Sequence, residues 1–292
     1  MMPLPIRFLG PRDIKKHVIR HLESQGETLR GKTAVDIPAG QGITAAVLHR
    51  LGARVLALDL FPEHFKQDGL QCQSADLARE LPVASASADL VVCQEGIEHL
   101  SDQFLPFREF NRVLRTGGVV LLTTPNYSSL RSKLSYLLTE SERYVTRMPP
   151  NEIDSIWGTA RETREGREEF RFYYGHIFLV GIQRLRLLAQ LSGFRLKRIL
   201  PVKATASCLV LFLPLYPFIL LANSLALLKA LRRAPDAQAR EVYRHLFWLN
   251  VHPGVLLGSH LFLEFEKTLT LQQAFEGIVE SKTRERLGES AR

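Results

Sequence analysis

The chain has 292 residues, 46% of them hydrophobic and 23% charged, which is an ordinary globular composition and excludes a disordered protein. Cys72, Cys93 and Cys208 are far apart, so neither a disulfide framework nor a cysteine zinc site is expected. The net charge of +8 favours acidic partners. No nucleic-acid-binding pattern accompanies this charge, so we expect no nucleic-acid partner.

Residues 1–30 are predicted to form a helical segment, because apolar residues recur at helical spacing between 11 and 26. Strands and helices then alternate. Strands are predicted at 33–37, 54–59, 70–74, 88–93 and 118–124, and helices at 43–51 and 104–114. This order predicts a parallel sheet with right-handed crossovers, and the continuous apolar strands indicate helices on both faces.

The second half of the chain interrupts this pattern. A charged insertion at 128–174 is interpreted either as a solvated helical face or as a lid over a substrate. A helix at 180–192 and strands at 195–201 and 261–266 complete a Rossmann-like, seven-stranded, mostly parallel sheet. Alternating polarity predicts that the last strand is a half-exposed end strand. The predicted domain spans 31–267, and a helical tail occupies 268–292.

The strongest local motif is Asp36-Ile-Pro-Ala-Gly-Gln-Gly42, between a buried strand and a helix. Glycines allow the backbone to approach a ligand closely, and the helix N-terminus offers free N–H donors. Asp59, at the end of the second strand, suits the two hydroxyls of a ribose. Because Gly40 and Gly42 also fit a dinucleotide fingerprint, an NAD(P)-dependent oxidoreductase is an alternative. A further alternative is a non-catalytic, membrane-bound scaffold that binds a cofactor.

Three features disfavour the dinucleotide hypothesis. Asp36 is acidic where dinucleotide folds usually have an apolar residue, and Asp76 provides a second acid that suits the exocyclic amine of adenine. The chain also ends in single strands at 195–201 and 261–266 rather than in a second βαβ half.

These motifs resemble those of class I S-adenosylmethionine-dependent methyltransferases, especially a bacterial group with a similar first motif. Pro38 stands where that family usually has the first of three glycines, and it has no N–H to donate. The resemblance is close over 30–126 and looser over 175–202. It implies that the cofactor is S-adenosylmethionine, with its ribose on Asp59 and its adenine beside Asp76. The full set of implied cofactor-binding residues is Asp36, Pro38, Gly40, Gly42, Asp59, Leu60, Asp76, Leu77 and Gln94.

A hydroxyl acceptor needs a base within hydrogen-bond reach. Glu95, Glu98 and His99 have i, i+3 and i+4 spacing after the fourth strand, where a single helical turn would gather them near the ligand crevice. The candidate catalytic residues are His99, as a general base, Glu98 beside it, and His176 at the end of the charged insertion. Two alternatives are a divalent cation bound by Glu95, Glu98 and His99, and a purely structural role for these residues.

An apolar insertion at 204–258 precedes the last strand, and residues 208–228 contain no charge. Basic residues flank both of its ends, so both ends are expected on the cytoplasmic side. Pro214 and Pro217 are expected to break the helix, which favours a re-entrant hairpin over a crossing. A soluble helical cap is the alternative.

The sequence therefore predicts an O-methyltransferase associated with the cytoplasmic face of a membrane. A membrane location suggests a lipophilic or lipid-linked small-molecule acceptor, such as a quinone precursor or a glycan.

Overall fold

The computed structural model describes residues 6–7, 13–140, 176 and 178–277, with backbone only at 6–7. Its strands are β1 (Ile6–Arg7), β2 (Thr33–Asp36), β3 (Arg54–Asp59), β4 (Cys72–Ser74), β5 (Ala88–Gln94), β6 (Leu114–Pro125), β7 (Phe194–Ile199), β8 (Val202–Lys203) and β9 (His260–Lys267). Its helices are α1 (Ile14–Gln25), α2 (Ile43–Arg50), α3 (Phe104–Val113), α4 (Leu130–Thr139), α5 (Ile182–Leu191), α6 (Ala206–Arg233), α7 (Ala237–Val251) and α8 (Pro253–Leu257). A short helix also covers 271–277.

The central sheet has seven strands in the order β4-β3-β2-β5-β6-β9-β7. Strands β2 to β6 pair in parallel, while β9 pairs antiparallel with both β6 and β7. The Rossmann-like, mostly parallel fold predicted from the sequence is therefore confirmed. Ligand sites in such sheets lie at the carboxyl ends of the parallel strands, so this edge carries the candidate site.

The position of β9 corrects one prediction. It is not a half-exposed end strand but an interior strand, and β7 forms the edge of the sheet. Polar and apolar residues alternate along β9 because its buried Glu264 pairs with Lys197 and Arg198 of β7, and its Glu266 pairs with Arg195. Cations on the edge strand thus satisfy carboxylates that would otherwise be costly to bury.

Apolar layers cover both faces of the sheet. On one face, Phe107 and Phe110 of α3 pack with Phe265 of β9, and all three are fully buried. On the other, Val18 and Leu22 of α1 pack against the sheet. Helix α1, from the predicted N-terminal helical segment, therefore packs on this second face of the sheet.

The apolar insertion leaves and rejoins the sheet at one place, because the amide of Thr205 donates to the carbonyl of Leu257 at 3.0 Å. The two ends of the insertion therefore lie side by side on the domain. The predicted break at Pro214 and Pro217 is wrong, since α6 runs unbroken through both prolines. Each proline removes one hydrogen bond while keeping a helical φ, and the stacked rings of Phe212 and Tyr216 span Pro214.

A hairpin is nevertheless present, with its turn at 234–236 between α6 and α7. Gln183 of α5 donates to Asn250 of α7 at 2.8 Å, and Asn250 donates to Asn223 of α6 at 2.9 Å. These amide contacts fix the orientation of the hairpin on the domain.

Two predicted features fall largely outside the described residues. Of the charged insertion, α4 is described, whereas the run at 161–169 and its interpretation as a lid are not covered. Of the predicted helical tail, 271–277 is helical and 278–292 is not covered. The domain boundaries at 31 and 267 stay a prediction.

Candidate functional site

A cavity of about 960 Å³ lies at the carboxyl ends of β2, β3, β4 and β5. This volume is near the top of the range of roughly 300–1,000 Å³ that is usual for small-molecule sites. Of the nine residues predicted to bind cofactor, seven line it: Pro38, Gly40, Asp59, Leu60, Asp76, Leu77 and Gln94. The sequence motifs therefore converge on one site.

Asp59 accepts hydrogen bonds from both of the loops that border this cavity after β2 and β3. Its Oδ2 accepts from the amide of Gly40 at 2.7 Å, and its Oδ1 accepts from the amide of Phe61 at 2.8 Å. Each carboxylate oxygen has further lone pairs, so these bonds still allow it to accept from a ligand hydroxyl. Gly40 has φ +52, and no described atom lies within 4 Å of the position of an added Cβ.

Gln94 and Asp76 contribute polar groups from β5 and from the loop after β4. The Gln94 amide donates to Thr44 Oγ1 at 2.6 Å, while its buried Oε1 has no hydrogen-bond partner among the described residues. An orphaned acceptor in a cavity wall suits a ligand that carries N–H donors. Asp76 holds its own loop through a bond from the amide of Ala78 at 2.8 Å.

Two predicted cofactor residues, Asp36 and Gly42, are not among the residues that line the cavity. Gly42 is required by internal packing, because a Cβ there would come within 2.4 Å of Phe65 and 2.6 Å of Gln67. Asp36 lies beneath the loop and is 0% exposed, and neither of its carboxylate oxygens has a hydrogen-bond partner of good geometry among the described residues.

The environment of Asp36 strongly disfavours its charged form. Desolvation by burial raises the pKa of Asp36 to about 8, and the charge of Asp59 raises it further, while the amide of Ala45 opposes the shift. A buried carboxyl without an ion-pair partner is therefore mainly protonated at neutral pH.

The predicted acceptor-side residues meet beside the cavity. The rings of His99 and His176 have centroids 4.9 Å apart, although 76 residues separate them in the chain. Glu98 is fully buried and accepts from Thr124 Oγ1 at 3.0 Å. His99 lines the large cavity, whereas His176 lines a second one.

The structure brings together a set of candidate metal ligands that differs from the three residues considered from the sequence. Ligand atoms of Glu98, His99 and His176 lie within 4.8 Å of one another, and this arrangement could hold a divalent cation. Glu95, which has φ +50, lies apart from this cluster and contacts β6 and β9 instead. There it accepts from Thr123 at 3.1 Å and lies 3.4 Å from His260 Nε2.

The second cavity, of about 290 Å³, adjoins the first, and Glu95 lines both. Tyr127, Ser132 and His260 contribute to its wall. Thr205 and Cys208, at the start of α6, also line it, so this cavity lies where the apolar helix leaves the domain.

Sequence reasoning missed several residues around the two cavities. Lys15 of α1 and Phe61 line the large cavity, and His260 lines the second. Phe61 follows Asp59 closely enough to have been found. Lys15 and His260 reach the site only through tertiary packing, and no local motif marks them.

Comparison with known proteins agrees with this arrangement. Residues 35–122 match a family model described as a methyltransferase domain. These residues include the end of β2, all of β3 to β5 and most of β6, and they contain all nine predicted cofactor-binding positions. Residues 35–122 are therefore similar to a methyltransferase domain, as the sequence motifs predict. This similarity supports the expectation that the cofactor is S-adenosylmethionine.

The methyltransferase domain also has named relatives. The chain is 34% identical over 158 residues to the ubiquinone biosynthesis O-methyltransferase of Xanthomonas euvesicatoria, covering 50% of this chain and 61% of that protein. It is 32% identical over 133 residues to the enzyme of the same name from Methylococcus capsulatus, covering 42% and 54%. The chain thus spans about half to three-fifths of these relatives.

Solved structures of methyltransferases are similar at lower identity. An S-adenosylmethionine-dependent methyltransferase from Mesorhizobium loti is 15% identical with a TM-score of 0.48, covering 85% of this chain and 96% of that one. A related structure from Archaeoglobus fulgidus is 14% identical with a TM-score of 0.45, covering 89% and 96%.

Proposed function

We propose that this protein is an S-adenosylmethionine-dependent O-methyltransferase, acting on a lipophilic or lipid-linked acceptor at the cytoplasmic face of a membrane. One observation carries the enzymatic part of the proposal. The Gly40 loop, the Asp59 carboxylate and the orphaned Gln94 Oε1 border a single large cavity in a methyltransferase domain.

The cavity residues fit the parts of the cofactor. Asp59 would accept from the ribose hydroxyls, Asp76 and Leu77 would border the adenine, and Gln94 Oε1 would accept from the amino group of the methionine part. When bound, the cofactor supplies a methyl group on a positively charged sulfur, which makes that carbon electrophilic. The protein's task is to align the acceptor for an in-line displacement.

Oxygen is the proposed acceptor atom because the named relatives are O-methyltransferases of ubiquinone biosynthesis. A hydroxyl of a quinone precursor loses its proton as it is methylated. We assign that proton to an imidazole nitrogen of His99 or His176, which adjoin the large and the second cavity respectively. Glu98, buried next to both, is proposed to position them.

Membrane association rests on the outer face of α6. An 18-residue stretch of this helix has a mean hydropathy of 2.0, yet only 6% of its residues are buried, unlike those of a core helix in a globular domain. Its exposed apolar residues recur at helical spacing in one stripe: Val210, Leu213, Phe218, Leu221, Leu225 and Leu228. Such a contiguous apolar surface is typical of a membrane or partner contact.

Charge favours a lipid surface as the occupant of this stripe. Basic residues surround the hairpin turn, namely Lys229, Arg232, Arg233, Arg240 and Arg244, and all are exposed. Trp248 of α7 is 65% exposed, and tryptophan is favoured at lipid–water boundaries. Because the insertion returns to its starting point, we propose that the hairpin lies in the interface rather than across the bilayer.

Transfer of labelled methyl tests the enzymatic proposal. Purified protein is incubated with methyl-labelled S-adenosylmethionine and a lipid extract of the host cells, and label is measured in the lipid fraction. We expect label in lipid products heavier by one methylene group, and none with Asp59→Ala. Label that stays with the cofactor for the intact protein would contradict the proposal.

A further inference from the structure

The second cavity is distinct from the cofactor cavity in size and in lining. Its volume of about 290 Å³ is less than a third of the 960 Å³ of its neighbour. It lies at the lower limit of small-molecule sites, so it accommodates a head group of single-ring size and not a long chain as well. A lipophilic molecule bound here must leave its chain outside.

The lining is suited to a hydroxylated ring. Tyr127, Ser132, Thr205 and Ser259 bring hydroxyl groups, which both donate and accept hydrogen bonds. Glu95, held by Thr123, lines this cavity as well as the cofactor cavity, so a ring bound here would adjoin a bound cofactor.

The position of the cavity provides a surface for the chain. Thr205 is the N-cap of α6, and Cys208 lies in its first turn and is buried against the cavity. Two residues beyond Cys208, the exposed apolar stripe begins at Val210 and continues at Leu213, which are 71% and 78% exposed. A path of apolar surface therefore starts at the wall of the second cavity.

From these observations we propose that the second cavity is the acceptor subsite, and that it binds the hydroxylated ring of an acceptor whose apolar chain lies along α6. This inference rests on the proposed function, and it deepens that function by assigning the acceptor a place and a chemical form. The acceptor would enter from the lipid side, with the ring directed away from the bilayer toward the cofactor.

The chain offers a matched pair of variants for testing this subsite. Ser259 and Ser24 are both exposed serines, but Ser259 lines the second cavity and Ser24 lines neither cavity. Ser259→Trp fills the second cavity without replacing a buried side chain, and Ser24→Trp adds the same bulk on the surface of α1. Ser259→Ala removes the hydroxyl without adding bulk.

Binding is measured by calorimetry on the full chain with S-adenosylhomocysteine, and then with catechol and a long-chain alkyl catechol added to the loaded protein. We expect Ser259→Trp to weaken the binding of both catechols by roughly tenfold or more and to leave the binding of S-adenosylhomocysteine unchanged. Ser259→Ala should weaken catechol binding less. Ser24→Trp should leave the binding of both catechols within roughly twofold of that of the unmodified protein.

A second arm tests the path along α6. Leu213→Glu should weaken the binding of the alkyl catechol and leave the binding of catechol unchanged, because only the alkyl chain contacts that surface. Unchanged catechol binding in Ser259→Trp, or no catechol binding to protein that does bind S-adenosylhomocysteine, would overturn the subsite. Failure of the unmodified protein to bind S-adenosylhomocysteine would instead overturn the proposed function.

Discussion

A Cβ placed on Gly96 would come within 2.7 Å of Cδ of Pro38 and 3.1 Å of Leu77. The ring of Pro38 thus packs where a side chain on Gly96 would lie. A glycine just after β5 therefore leaves room for a proline in the loop after β2.

We predict that Gly96→Ala weakens S-adenosylhomocysteine binding by roughly tenfold, because the added methyl displaces Pro38 or Leu77 at the cavity wall. Calorimetric titration gives the affinity, and circular dichroism checks the fold. Gly277→Ala is the control, since no described atom lies within 4 Å of its added Cβ. Equal affinities of the two variants would refute the packing argument.

Asp36 is predicted to make the protein less stable as pH rises. Its folded-state pKa is about 8, above the ordinary value of 3.8, so between these values the unfolded chain has lost a proton that the folded chain retains. The free energy of unfolding therefore falls with increasing pH through this window, by up to about 1.4 kcal/mol per pH unit from this group.

Asp36→Asn removes this titration and keeps the shape of the side chain. Urea denaturation of both proteins, without cofactor, from about pH 5 to about pH 8 measures the difference. The variant should gain stability relative to the unmodified protein as pH rises. A constant difference between the two proteins across that range would show that Asp36 is ionised in the folded state.

His99 and His176 could not be recognised as a pair from sequence, because their rings meet only through tertiary packing. If an imidazole accepts the acceptor's proton, His99→Ala or His176→Ala should lower turnover by about 10²–10⁴-fold. His176→Ala should do so without weakening S-adenosylhomocysteine binding, since His176 does not line the cofactor cavity. His49→Ala, at an exposed position on α2, is the control.

A chelator separates the two chemical roles of this cluster. With a histidine base, turnover should persist in excess EDTA. Loss of turnover in EDTA that Mg²⁺ restores would instead assign Glu98, His99 and His176 to a cation.

Membrane binding is predicted to depend on the outward stripe of α6. Leu213→Glu combined with Leu221→Glu should abolish sedimentation with vesicles that contain phosphatidylglycerol, because each carboxylate would have to enter the apolar layer. Phe275→Glu is the control. Phe275 is 66% exposed, but it follows the C-terminal end of β9, whereas α6 begins near the N-terminal end of that strand. If both proteins lose binding equally, α6 is not the contact surface.

Local patterns were sufficient for much of the fold and of the cofactor site. The strands, the Gly40 loop and Asp59 were predicted because apolar runs, glycines and an acid at a strand end are short-range signals. The order of strands around β9 was not, because Glu264 on an interior strand is satisfied by cations from β7, which are remote in sequence. The unbroken course of α6 was missed for a similar reason, because the local penalty of a proline takes no account of tertiary packing, and α6 packs on α7.

Calorimetric titration with S-adenosylhomocysteine, comparing the unmodified protein with Asp59→Asn, tests the central claim that the large cavity is the cofactor site. The side-chain amide of asparagine has one acceptor oxygen, where the carboxylate has two. The variant therefore loses the hydrogen bond from the amide of Gly40 or that from the amide of Phe61, as well as a contact with the ribose. We expect binding by the unmodified protein, a loss of roughly tenfold to a hundredfold in the variant, and no loss in the exposed control Asp68→Asn. Binding of NADH in place of S-adenosylhomocysteine, or an unchanged affinity in Asp59→Asn, would contradict it.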